Sequence, residues 1–154
     1  MVRILIIEDE IIIARFIERQ LKNNFECETA IAVSAVEART SMAAFLPHLL
    51  LCDIHLEEEH SGIDLIVDLR RRYAFEVIYI TSYQNRSVIE KAAATHPANY
   101  LIKPIDESQL FTGIQLVMAR IRSDDQAGKA FLQSDITFTL SLIHISEPTR
   151  QAEI

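Results

Sequence analysis

Short apolar runs recur along this chain at intervals that leave room for one helix between each pair. Val2–Ile7 reads VRILII, similar runs stand at Leu49–Cys52, Val77–Ile80 and Tyr100–Ile102, and a weaker one spans Cys27–Val33. Runs this short and this rich in Ile and Leu fit strands buried on both faces of a parallel sheet. Between them, Ile13, Phe16, Ile17 and Leu21 share one helical face, as do Leu110, Ile114, Val117 and Ile121. Ser34 with Glu37, Ser87 with Glu90, and Asp106 with Gln109 fit the capping box, in which side chains satisfy orphan amides at a helix start. The pattern predicts an α/β fold of (βα)5 type, a doubly wound parallel sheet with helices on both faces, ending near Arg122.

With 154 residues, 49% of them apolar and 24% charged, the chain has room for one globular core. A net charge of −7 argues against a nucleic-acid surface, which needs clustered Lys and Arg. The basic triplet Arg70, Arg71, Arg72 reads as the solvated last turn of a helix. No stretch reaches the roughly 18 apolar residues of a membrane span. Met1-Val2-Arg3 runs into a strand without a signal-peptide pattern, so the cytoplasm is the expected location. Cys27 and Cys52 lie in strand-like contexts without CxxC spacing and read as buried thiols. The five histidines also lack ligand spacing.

Open α/β sheets bind ligands at the carboxyl ends of their strands, near the switch point of the strand order. Glu8, Asp9 and Glu10 follow the first strand, Asp53 the third, Thr81 and Ser82 the fourth, and Lys103 and Pro104 the fifth. If the first and third strands are neighbours, Glu8, Asp9 and Asp53 crowd together and repel unless a cation neutralises them. Oxygen-only ligands suit Mg2+. With hydroxyl and ammonium donors opposite, the set suits a phosphoryl group, and an Asp carboxylate can serve as nucleophile. Each residue also has a plainer reading: helix-dipole charges for Glu8 to Glu10, a turn for Asp53, a strand-end hydroxyl for Thr81, a solvated charge for Lys103. Their joint placement at expected strand ends favours the site.

The strings ILIIEDE, LLLCDIHL followed by GIDL, YITS and YLIKPID resemble response-regulator receiver domains over roughly residues 1–122. The resemblance implies a CheY-like sheet of strand order 2-1-3-4-5. It makes Asp53 the phosphoacceptor and Glu8 and Asp9 the acidic pair that holds Mg2+, with the backbone carbonyl of His55 as a further ligand. It gives Thr81 and Lys103 contacts to the phosphoryl group, a cis peptide between Lys103 and Pro104, and the switch aromatic position to Tyr100, although a strand tyrosine is by itself often simple packing. The implied donor is a sensor histidine kinase or phosphotransfer protein. The implied output surface is helix four, strand five and helix five, where a homodimer could also form. Such a domain catalyses only its own phosphorylation and dephosphorylation and is no enzyme toward a separate substrate.

Some positions depart from the family pattern. Leu56 to Ser61 lacks the usual proline and carries Glu57, Glu58, Glu59 and His60, as in a longer-loop subtype. Asn99 stands where glycine is frequent, and Glu8 replaces the commoner aspartate. His55 and Tyr83, two residues beyond Asp53 and Thr81, flank the expected route of attacking water, so their bulk is expected to slow loss of the phosphoryl group. A His55→Asn, Tyr83→Glu variant that dephosphorylates no faster than its parent counts against this.

Alternative functions fit less well. A haloacid-dehalogenase-like phosphohydrolase also uses an Asp nucleophile and Mg2+, but normally has a second acid where His55 stands. With only Gly62, Gly113 and Gly128, neither G-x-G-x-x-G nor a P-loop can be built. A degenerate receiver acting only as an interaction module would usually have lost Asp53 or Lys103. Past Arg122, residues 123–139 read as a linker or the start of an output region, polar from Ser123 to Gly128. Residues 140–154 read as a non-native tail: LSLIHISEPTR looks like the in-frame translation of a sequencing-library adapter, with Gln151–Ile154 continuing it.

Overall fold

The computed structural model of the chain describes residues 1–57, 60–82 and 85–134. Residues 135–154, with the adapter-like segment among them, and Tyr83 lie outside the described residues.

Residues Met1–Val117 form one compact unit. In it β1 (Val2–Ile7), β2 (Cys27–Ala32), β3 (Leu49–Cys52), β4 (Glu76–Thr81) and β5 (Asn99–Ile102) make a parallel sheet of order 2-1-3-4-5, as expected. The helices between them are α1 (Ile11–Asn24), α2 (Ala35–Phe45), α3 (Gly62–Leu69) and α4 (Arg86–Ala93). The last, α5, runs Glu107–Ser134. The central strands β1, β3 and β4 carry the longest apolar runs because helices cover both of their faces. Ile4, Leu5, Ile6 and Ile7 are fully buried, each stabilising the fold by roughly 1.5–3 kcal/mol.

Side chains alternate across the sheet. Leu5, Ile7, Leu50, Cys52, Val77 and Tyr79 pack in one cluster with Met42 of α2, Ile66 of α3 and Ala92 of α4. Residues of opposite parity, such as Ile4 and Ile6, are buried outside that cluster, as are Ala14, Ile17 and Leu21 of α1 and Leu110, Ile114 and Val117 of α5. The stacked rings of Phe25 and Phe111, 5.5 Å apart, join α1 to α5 on that second face.

Three local features differ from the sequence expectations. Within Leu56–Ser61, read as a longer loop, the described residues join His55 in a small antiparallel ribbon that pairs His55–Glu57 with His60–Ser61. It is anchored because Ile54 and Leu56, two residues apart, both enter the core. At α4 the cap is Asn85, whose Oδ1 accepts the Val88 amide at 3.0 Å. Ser87 lies inside the first turn and donates to Asn85 at 3.0 Å, while Glu90 pairs with Arg86. Asn is among the strongest N-caps and, standing two residues earlier, takes the role. Finally, the backbone of α5 runs on to Ser134, past Arg122 where the helical pattern was expected to end. That stretch holds no proline and a single glycine, and extending a formed helix costs little compared with nucleating one.

The other caps form as expected: Ser34 accepts the Glu37 amide at 3.1 Å, and Asp106 accepts that of Gln109 at 2.7 Å. The C-cap of α2 is Leu46, at φ 49°, an exposed side chain in the left-handed region where glycine is favoured. Leu46→Gly is therefore expected to raise stability by about 0.5–1 kcal/mol, measurable as an increased urea midpoint at unchanged slope.

Candidate functional site

The strand ends converge on one acidic pocket. Directly after β1 the chain bends, and Glu8, almost fully buried at 2% exposure, turns its carboxylate under the sheet edge. Its Oε2 accepts the Glu10 amide at 3.1 Å, and its Oε1 lies 2.9 Å from Lys103 Nζ. Asp53, immediately after β3, is also buried. Its Oδ1 accepts the His55 amide at 3.1 Å, and its Oδ2 faces Lys103 Nζ at 3.1 Å. Asp9 is exposed, yet single oxygens of Glu8, Asp9 and Asp53 all lie within 4.8 Å of one another. Glu8 thus offers an amide contact typical of a helix start and also a place in the cluster.

Lys103 is held by the other side of the pocket. Its amide donates to the Thr81 carbonyl at 2.8 Å, and its peptide with Pro104 is cis. Thr81 is fully buried at the end of β4, beside Ile102 in register. Tyr100 is half-buried in β5, its ring edge-on to Tyr79 with centroids 6.3 Å apart. The His55 side chain is exposed.

Electrostatics follow from burial. Desolvation pushes Glu8 up from 4.5 to about 7, aided by the nearby Asp53 and opposed by Lys103. Asp53 is likewise raised by burial, against the pull of Lys103. Burial alone would lower Lys103, but its contacts with Glu8 and Asp53 outweigh that and leave it raised. One ammonium therefore pairs with two carboxylates, Glu8 and Asp53, and the third, Asp9, stands beside them. The buried Glu8 Oε1 has no aligned hydrogen bond in spite of its ion pair, so it retains acceptor capacity. An all-oxygen donor set with surplus negative charge and a spare buried lone pair fits a hard divalent cation. Among the described residues, Glu8, Asp9 and Asp53 form a group able to hold a metal ion.

One neighbour of the site escaped the sequence reading. Gly62, first residue of α3, passes so close to Asp53 that a Cβ there would sit 2.0 Å from the Asp53 carbonyl oxygen. Cys52 is the buried thiol the sequence led one to expect: it directs its Sγ toward that same oxygen at 3.4 Å, and burial pushes the thiol pKa up, which makes it inert filling. The only sequence hint for Gly62 was the rarity of glycine in the chain. Asn99, the departure noted in β5, donates through Nδ2 to the Gly113 carbonyl at 3.2 Å and so ties β5 to α5.

Alongside the pocket runs a groove of about 600 Å3 between α1 and the Lys103–Pro104 turn, lined by Ile13, Phe16, Ile17, Pro104 and Ile105 among others. Ile12 stands at its rim, 82% exposed. No helix among the described residues is long and apolar enough to cross a membrane.

Comparison with known proteins agrees with this geometry. The chain is 26% identical over 120 residues to the transcriptional regulatory protein PdtaR of Mycobacterium tuberculosis, covering 78% of this chain and 58% of that one. It is 32% identical over 108 residues to the phyllosphere-induced regulator PhyR of Methylorubrum extorquens, covering 70% and 40%. The match therefore spans about half the length of these relatives. The fold superposes with a TM-score of 0.74, at 21% identity, on the signal receiver domain of a putative LuxO repressor protein from Vibrio parahaemolyticus, covering 81% and 95%. Residues 4–115 match the family described as the response regulator receiver domain. On these grounds the chain belongs to the response-regulator receiver domain family of two-component systems.

Proposed function

We propose that this receiver accepts a phosphoryl group on Asp53 in a Mg2+-dependent reaction and that the resulting charge switches a partner surface. The observation that carries this reading is the pocket itself, in which three carboxylates cluster at the carboxyl edge of the sheet and two of them, Glu8 and Asp53, share one ammonium. Glu8, Asp9 and Asp53 with the His55 carbonyl would hold Mg2+, which when bound would neutralise phosphoryl charge. The chain's own groups do the rest. One Asp53 oxygen forms the new O–P bond as the phosphorus–nitrogen bond of a phosphohistidine breaks. The His55 amide orients the carboxylate, and Lys103 balances the charge that arrives. Thr81, at the adjacent strand end, is the hydroxyl expected to approach the phosphoryl group, with Tyr100 following as the switch aromatic.

The donor is a sensor histidine kinase or phosphotransfer protein, for whose helix the apolar groove beside the pocket offers a seat. The output surface is α4, β5 and α5, where Ile89 and Leu116 are exposed and a second copy could dock. The site acts in the cytoplasm, where such kinases present their phosphohistidine. The regulatory names of the relatives support an output in transcription.

Intact-mass spectrometry after incubation with acetyl phosphate tests the reading. One phosphoryl group is expected on the wild type with Mg2+, and none without Mg2+ or on Asp53→Asn. No gain under any condition removes the phosphoacceptor role and leaves a phosphorylation-independent interaction module.

A further inference from the structure

Helix α4 is poorly anchored by apolar contacts. Ala92 is its one buried side chain, and Val88 is only partly buried against the core. Its ion pair to α3, Lys91 with Asp64 at 3.1 Å, joins two well exposed side chains and contributes little. At its C-terminal end the situation is different.

There the fully buried Tyr79 of β4 brings a hydroxyl into the core, where it needs a partner. It meets Thr95 Oγ1 at 2.7 Å, and Thr95 Oγ1 in turn lies 2.7 Å from the Ala92 carbonyl. A threonine hydroxyl has one proton, and a carbonyl can only accept. Thr95 therefore donates to Ala92, and Tyr79 is the donor to Thr95. The Thr95 carbonyl accepts from Arg70 Nη1 at the end of α3. The Arg70 guanidinium lies over the Phe75 ring at 5.3 Å. This places Arg70 in a structural network, whereas Arg71 and Arg72 remain on the surface. The Tyr79 ring also meets Tyr100, its register partner on β5, edge-on.

We infer that Tyr79 and Thr95 form a pivot that pins the C-terminal end of α4 to the sheet while its N-terminal turns are free to swing, and that the Tyr79 ring links this pivot to the orientation of Tyr100. Tyr79 and Thr95 are positioning residues, with Arg70 as the clamp that fixes the Thr95 backbone. The use of the pivot in signalling rests on the proposed phosphorylation; its existence does not.

The test therefore uses the unphosphorylated protein without Mg2+. Amide hydrogen exchange is compared in wild type, Tyr79→Phe and Thr95→Ser. In the wild type the amides of Ala94, Thr95 and His96 are expected to be better protected than those of Ile89 and Glu90. Tyr79→Phe keeps the ring and deletes the donor, and is expected to speed exchange at Ala94 to His96 about tenfold, equivalent to about 1.4 kcal/mol, with Leu5 and Leu50 little changed. Thr95→Ser retains the hydroxyl and is expected to keep the wild-type profile. An unchanged α4 profile in Tyr79→Phe overturns the inference. So does acceleration shared equally by Leu5 and Leu50, which would be general loosening of the core, or a Thr95→Ser profile like that of Tyr79→Phe. A protein that shows the pivot yet takes no phosphoryl group from acetyl phosphate refutes the proposed function alone.

Discussion

Gly62→Ala is expected to lower the free energy of unfolding by about 3 kcal/mol and to slow phosphoryl gain from acetyl phosphate about a hundredfold. The added methyl would lie 2.0 Å from the Asp53 carbonyl oxygen, 2.9 Å from its carbon and 3.0 Å from Cys52 Sγ. The two nearest of these atoms are backbone and cannot rotate away. The Gly62 amide also donates to the Ile54 carbonyl, so α3 cannot withdraw without breaking that bond. Relief must come from moving the segment that carries Asp53, in an interior packed too densely to yield cheaply. Stability and chemistry should therefore fall together.

Gly113 provides the contrast. A Cβ there would meet the Leu101 side-chain end at 3.0 Å and Asn99 Nδ2 at 3.3 Å, both of which can give. Alanine also favours the helix by up to about 1 kcal/mol over glycine, so Gly113→Ala should be close to neutral. Urea unfolding of both variants, with mass-spectrometric rates taken where each is folded, checks the pair. A Gly62→Ala protein as stable and as fast as the wild type would refute the close-approach argument.

The same two glycines show which features sequence can carry. The extents of β1 and β3 were legible to the residue, because a strand covered on both faces is apolar almost throughout, Arg3 being the one charge in either. Once those strands are located, the residues after them are located too, so Glu8, Asp9 and Asp53, and Lys103 after the run Tyr100–Ile102, could be named before any coordinates. The edge strand β2 was harder: with one edge open to solvent it admits Glu28 and Thr29, and its pattern blurs. The 55–61 ribbon was missed because two or three residues per strand leave too little alternation, although Ile54 and Leu56 carried some. The tightness at Gly62 and the Tyr79–Thr95 bond join residues that meet only in the folded state, and no local pattern encodes them. Tyr79 read as one more apolar position in a strand, since nothing in VIYIT marks a hydroxyl that must find a partner.

Without Mg2+, the protein is expected to lose roughly 3 kcal/mol of stability as pH rises from about 4.5 to 7, and millimolar Mg2+ is expected to restore much of it. The sign follows from proton counting. Glu8 titrates near 7 in the folded chain, against 4.5 as its ordinary value, because burial disfavours its charge. Between those values the folded state binds more protons than the unfolded state, so stability falls with rising pH. Asp53 is shifted the same way and steepens the slope. Lys103, raised from 10.5, keeps its charge in both states across this window and adds no slope there. A shift of 4.5 to about 7 corresponds to roughly 3 kcal/mol at about 1.4 kcal/mol for each unit. A divalent cation among the carboxylates favours their charged forms, so its stabilising effect must be larger at pH 8 than at pH 5.5. Thermal melts at both pH values, with and without Mg2+, measure this directly, and Glu8→Gln should flatten most of the slope. Equal Mg2+ shifts at the two pH values, or a slope untouched in Glu8→Gln, would show that the buried carboxylate is not what the cation relieves.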